Sequence, residues 1–187
     1  MATPFLPIYP YTRDAFVPQR RLDPINLVFA GSLADITTVR NVVMNVLACW
    51  TDKLVSDQYF HEPLTPVIGH RQDLNQTDSL LSGFTGRLHT RSYQVFTADP
   101  RIGGRFVASP IHIDKWAACG DAADSFNLAR DGAVARLRAR GYEATFLQLA
   151  TPDAIAQCDG RLTPWDGRTA VVAQAGFLRG LGFSVAP

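Results

Sequence analysis

The chain predicts an α+β fold: a split βαβ, or ferredoxin-like, antiparallel sheet with two helices on one face. Three observations predict it. Residues 25–30 form a short, wholly apolar run of the kind that fills a central strand. Residues 88–113 alternate around a glycine-rich turn as a hairpin does. Two segments with apolar residues at helical spacing flank that hairpin. The order is therefore strand, helix, strand, strand, helix, strand. An extended N-terminal arm and an extra C-terminal strand complete the expected architecture.

The arm covers residues 1–22, and residues 23–187 are expected as a single domain. Pro4, Pro7, Pro10 and Pro18 keep the arm extended. Phe5, Tyr9, Tyr11 and Phe16 lie between them. An arm this aromatic packs either as a strap over its own domain or onto a neighbouring subunit, so these four are the candidate partner-binding residues. After the first strand, Gly31 turns the chain and Ser32 is placed to cap a helix. Ile36, Val39, Val43, Val46, Leu47 and Trp50 form its stripe. Residues 51–85 are broken by Pro63, Pro66, Gly69 and Gly83. They hold His61, His70, Arg71 and Asp73, which are candidate neighbours of a site.

In the hairpin, side-chain alternation puts His89, Arg91, Tyr93 and Val95 on one face. Pairing Thr97 with Gly104 sets His89 opposite His112 and Arg87 opposite Asp114. A slip of one residue would separate the histidines. The apolar set Leu88, Phe96, Val107, Ile111 and Ile113 then faces the core. A second helix is expected over 121–140, with Phe126, Arg130, Ala133, Val134 and Leu137 on its buried stripe. A buried arginine needs a carboxylate or several carbonyls, and Asp114, Asp124 and Asp73 are the candidates. Gly141 ends that helix. Residues 142–149 read as the fourth strand, 152–157 as a short helical turn, 164–167 as a loop, and 169–175 as the extra strand.

Composition narrows the function. Hydrophobic residues are 47%, charged residues 19%, and the formal net charge is +1. That balance supplies no field for nucleic acid or an acidic membrane. No apolar run approaches the roughly 20 residues that span a bilayer, and the N-terminus lacks the basic and apolar regions of a signal peptide. Cys49, Cys119 and Cys158 are odd in number and widely spaced, so they are expected as small interior residues in a reducing, cytoplasmic setting. Of the 18 basic residues only Lys53 and Lys115 are lysine, which suggests a high-GC host or one of its phages.

The motifs in order are similar to a known family. Asp23-Pro24-Ile25-Asn26-Leu27-Val28-Phe29-Ala30-Gly31-Ser32 and Cys49-Trp50 resemble the opening strand and helix end of the LssY C-terminal domain family. Gly69-His70-Arg71-Gln72-Asp73-Leu74, Leu88-His89-Thr90-Arg91, His112-Ile113-Asp114 and the stretch from Asp124 to Asp131 resemble its later elements. The likeness covers roughly residues 23–150. Tyr93 stands at a shifted place where the family has Trp, and Ser-Phe-Asn-Leu-Ala separates Asp124 from Arg130. The membrane-bound phosphatase portion often joined to that family has no counterpart here. The resemblance implies a fold neighbourhood and a candidate site, and supplies no activity.

Two functional readings follow. The first is a non-catalytic binding or assembly protein without a cofactor, forming a homo-oligomer or part of a larger complex. For a phage-encoded chain, that complex is a virion. The second is a hydrolase acting on a phosphate ester or similar anion. There His89, His112 and Asp114 would hold a divalent metal, or a histidine would act as general acid or base while Arg91 and Arg130 hold the anion. No Gly-x-Ser-x-Gly, His-Glu-x-x-His or P-loop is present. A base-stacking sheet face would offer Tyr93 alone, which disfavours nucleic acid.

Overall fold

The fold is mixed α+β, seen in a computed structural model that describes residues 10–13, 21–47, 57–61, 65–73, 87–96, 104–117 and 120–185. Strands β1 (Tyr11–Arg13) and β2 (Arg21–Pro24) form a two-stranded ribbon, with Tyr11 opposite Pro24. The arm's described part is thus folded back on the domain. Strand β3 (Leu27–Phe29) is central and fully buried, as its apolar run requires.

A 3-10 turn over Gly31–Leu33 leads into helix α1 (Ile36–Leu47). The cap of α1 is Asp35, not Ser32: its carboxylate accepts from the amides of Thr37 and Thr38 at 3.0 and 3.2 Å. The 3-10 turn places Ser32 too early to reach the first α-helical amides. Gln94 reaches over from the sheet and accepts from Ile36 N at 3.2 Å. Val39, Val42 and Val43 carry the buried stripe. Val46 and Leu47 are described by their helical backbone alone, and Trp50 lies outside the described residues.

Strands β4 (Asp57–His61) and β5 (Thr65–Asp73), paired antiparallel, lie in the 51–85 region, where sequence patterning did not indicate them. Strand β6 (Arg87–Phe96) pairs with β7 (Arg105–Ser109) and then with β8 (Ile111–Ala117). Pro110 breaks the returning strand between them. Asn26 bridges the break. Its fully buried amide donates to the carbonyls of Ile111 and Phe126 at 2.7 and 3.0 Å and accepts from Ile111 N at 2.8 Å.

The second helix is shorter than the sequence suggests. Residues assigned to its first turn form strand β9 (Gly120–Ser125), which returns against β8, and α2 runs Asn127–Ala139. The Ser125 hydroxyl accepts from Leu128 N at 3.2 Å to start the helix. Strand β10 (Tyr142–Gln148) follows. The expected helical turn near 152–157 is instead strand β11 (Asp153–Ala156), paired with β12 (Leu162–Trp165). Its alternation of buried Ile155 with exposed Ala154 and Ala156 is the period-two pattern of a strand.

Strand β13 (Arg168–Gln174) is the extra C-terminal strand, and its position changes the sheet. It enters parallel to β3 and antiparallel to β10, giving the order β10-β13-β3-β7-β6-β5-β4. The sheet is therefore mixed, not purely antiparallel. The buried faces of α1 and α2 join Leu27, Phe29, Val107 and Ile111 in one core on one side of it. On the other side a short helix α3 (Phe177–Gly180) and Phe183 cover Val28, Tyr93, Val95, Phe106 and Val171. Arg179 donates to the buried carboxylate of Glu143 at 2.7 Å and pins this C-terminal cover.

Candidate functional site

Strand register decides which polar positions share a face. His89 pairs with His112, Leu88 with Ile113 and Arg87 with Asp114, the register that the Thr97–Gly104 turn predicts. On the other side of β6, Asp73 pairs with His89 and Arg71 with Arg91. Opposed positions on neighbouring strands lie on one face. Asp73, His89 and His112 therefore occupy one row, and Arg71 and Arg91 stand opposite each other two positions along. Arg71 was singled out in the sequence only as a possible neighbour, and Asp73 as that or as a partner for Arg130, because no pattern there indicated β5. For His89, Arg91 and Asp114 the description extends to backbone register alone.

His112 is described in full. It is 5% exposed. Its Nδ1 lies 3.8 Å from a carboxylate oxygen of Asp23, and its ring meets the edge of Phe126 at 5.8 Å between centroids. Asp23 comes from β2, where Thr12 donates to its carbonyl at 3.2 Å. The N-terminal ribbon thus places a carboxylate beside a strand histidine. Sequence reading missed Asp23 as a site residue because its importance depends on the ribbon folding back.

Phe126 belongs to an aromatic wall that also holds Tyr11, Ile155 and Trp165. Tyr11 is 5% exposed and meets Trp165 edge-on at 5.3 Å. Its hydroxyl donates to Asp153 at 3.1 Å, and Arg21 donates to the same carboxylate oxygen at 2.9 Å. Burial, then the adjacent Asp153 carboxylate, pushes the Tyr11 phenol above its ordinary pKa. Tyr11 is accordingly a strap on its own chain. Phe5, Tyr9 and Phe16 lie outside the described residues.

Arg130 is fully buried on the α2 stripe, as expected, but with other partners. It donates to both oxygens of Asp166 at 2.7 and 3.0 Å, to Asp131 at 2.8 Å, and to the Arg168 carbonyl at 2.9 Å. The sequence reading placed Asp166 in a loop and did not consider it. The β12–β13 turn brings it there, and Gly167, with φ +76°, makes that turn possible. A Cβ at Gly167 would run into the Ala150 carbonyl oxygen. Burial alone would raise the Asp166 pKa, but hydrogen bonds from Arg130 and Arg168 hold it well below the usual carboxylate range. With two carboxylates and a carbonyl on its guanidinium, Arg130 is a structural staple and does not join the His112 row.

The cysteine expectation does not hold at Cys158. It sits exposed at the tip between β11 and β12 and is disulfide-bonded. The tight tip, closed by Gln157 N to Arg161 O at 2.8 Å and by the Asp159–Arg161 pair, offers no interior for a thiol.

Among the described residues no cluster of three histidine, cysteine or acidic side chains is arranged to hold a metal, and no helix is long and apolar enough to cross a membrane. No family model, curated protein or solved structure matches the chain.

Proposed function

We propose that the chain is a binding protein for a small anionic ligand of the phosphate or phosphate-ester class, held on the polar end of the sheet. The observation that carries this reading is the pairing of Arg71 with Arg91 beside the Asp73–His89–His112 row. Like charges at opposed strand positions are destabilising. An anion accepting hydrogen bonds from both guanidinium groups would remove that repulsion, and planar forks match phosphate oxygens. We read the sheet beneath it as a split βαβ core into which β13 has been inserted between the first and fourth strands.

The test is calorimetric titration with inorganic phosphate and with a phenyl phosphate ester. Saturable binding is expected for the full chain. It should fall at least about tenfold in Arg91→Met and in Arg71→Met, the loss of one charge-assisted contact. Equal binding by all three proteins, or none by the full chain, would defeat the reading.

One observation favours a second reading, a hydrolase of such an ester. The Asp23 carboxylate beside His112 Nδ1 would orient the imidazole as a general acid or base. Release of phenol from the same ester, lost in His112→Gln with phosphate binding retained, separates catalysis from binding. His89 and Asp114 remain candidate metal ligands in this reading with His112, on the strength of their register.

A further inference from the structure

We propose that Asn26 is the positioning residue of the site: its side chain fixes His112 against Asp23 and against the Phe126 ring. Asn26 is fully buried. Its own carbonyl accepts from Ala170 N at 3.0 Å, which ties it to β13. The residue before it is held as well. Ile25 N donates to the Pro10 carbonyl at 2.9 Å, and the Thr169 hydroxyl donates to the Ile25 carbonyl. From that fixed base the Asn26 side chain holds two other segments. Its Nδ2 donates to the carbonyl of Ile111, the residue before His112, at 2.7 Å and to that of Phe126 at 3.0 Å. Its Oδ1 accepts from Ile111 N at 2.8 Å. Nδ2 carries two hydrogens, so both carbonyls are served at once. The orientation of the amide follows: turned over, it would set Oδ1 against two carbonyl oxygens.

These bonds hold together the surroundings of one imidazole. Fixing both main-chain groups of Ile111 fixes where the next side chain, His112, leaves β8. Phe126 supplies the ring that meets the imidazole edge-on at 5.8 Å. Asp23, with its carboxylate 3.8 Å from His112 Nδ1, precedes Asn26 on the same short segment. One side chain thus relates a carboxylate from β2, an imidazole from β8 and a ring from the start of α2. Pro110 is the reason that a side chain is needed. It breaks the returning strand, and β3 pairs with β7 only as far as Ser109. Beyond that point the Asn26 amide stands in for a rung of the ladder. It donates to and accepts from Ile111, as the main chain of a paired strand residue would.

This rests on His112 as a site residue, but the experiment reads the imidazole itself rather than ligand binding, so the two ideas fail separately. Nuclear magnetic resonance of the full chain follows the carbon-bound ring protons of His112, assigned by their loss in His112→Gln. The Phe126 ring shifts those protons, and Phe126→Leu gives their position without it. In Asn26→Ala they should move most of the way from the full chain's position to that of Phe126→Leu. Asn26→Asp, equal in size, keeps the acceptor for Ile111 N but loses donors, and should move them in the same direction. Arg130→Met disturbs a buried contact elsewhere and should leave them in place, which separates a displaced imidazole from a weakened fold. A second measurement uses the unmodified chain. The Asn26 side-chain amide hydrogens should exchange with deuterium far more slowly than those of Gln174, which is exposed, because only opening of the site releases them. Ring protons unmoved in folded Asn26→Ala, or moved as far in Arg130→Met, would overturn the assignment. So would exchange at Asn26 as fast as at Gln174.

Discussion

Arg130 with Asp166 and Arg21 with Asp153 are the same ion pair in two environments. Each arginine lies beside an aromatic ring: Arg130 is 5.3 Å from the centre of Phe146, and Arg21 is 5.1 Å from that of Tyr11. The Arg130 side chain is 0% exposed, whereas that of Arg21 is 55% exposed. Arg130 has four hydrogen bonds and no access to water, so every partner is required. Arg21 keeps its hydration and can leave Asp153 at little cost. The same chemistry is thus a structural requirement at one end of α2 and an adjustable contact at the ribbon.

The sharpest test of that difference is Asp166→Ala. It strips the bidentate partner from a buried guanidinium, which still reaches Asp131 and the Arg168 carbonyl. A loss of about 3 kcal/mol is expected, the lower end for breaking a buried pair. Arg130→Met should cost less, because it removes the buried charge itself and leaves Asp166 with Arg168 at 2.8 Å. Urea unfolding of both variants checks the order, and Arg130→Met proving the worse of the two would mean that packing, not charge, dominates there.

The network also shapes the acid limb of stability. The folded pKa of Asp166 lies below its unfolded value. Its stabilisation is therefore complete above the unfolded pKa, near 4, and is lost as pH falls through the folded value. Glu143 acts in the same direction. Burial alone would raise its pKa, but the backbone amide of Gly176 and the Arg179 guanidinium outweigh that and lower it. Unfolding free energy should fall as pH drops below about 4, and less steeply in Asp166→Asn. An identical slope in that variant would assign the acid limb to other carboxylates.

These two clusters also mark what sequence could reveal. Arg130 was legible as a buried arginine because Ala133, Val134 and Leu137 share its helical stripe. Its partner was not, because Asp166 comes from a turn between strands that helical spacing cannot locate. The hairpin register was legible because His89–His112 pairing keeps Ile111 and Ile113 in the core. The place of β13 was not, since an apolar run reads alike whether its strand is parallel to β3 or at an edge. Asp23 escaped, and Asp73 was legible only as a candidate without a strand to place it, for a related reason: the ribbon and β5 are long-range pairings without a local pattern.

Tyr11→Phe probes the ribbon with a smaller change. It removes the hydroxyl that donates to Asp153 and leaves the ring against Trp165. A net loss of about 0.5–1.5 kcal/mol is expected. The raised phenol pKa adds a sign: this contribution is present below the ordinary value of 10 and is lost as pH rises through the folded value. Stability of the full chain and of Tyr11→Phe should therefore converge at strongly alkaline pH. A constant gap between them would place the effect in packing alone.

The smallest effect belongs to Arg21→Ala. The pair it removes is well formed at 2.9 Å, but both side chains keep contact with water, at 55% and 35% exposure. Exposed pairs of this kind contribute about 0–1 kcal/mol. Salt screens them, with a Debye length near 8 Å at physiological ionic strength and about 3 Å at 1 M. The variant should lose a few tenths of a kcal/mol in low salt and match the full chain in 1 M sodium chloride. Asp166→Ala should keep most of its deficit in the same salt, because its arginine is out of reach of the ions. If Arg21→Ala instead cost as much as Asp166→Ala at both salt concentrations, burial would not be what separates the two pairs, and the ribbon would be as essential to the fold as the staple on α2.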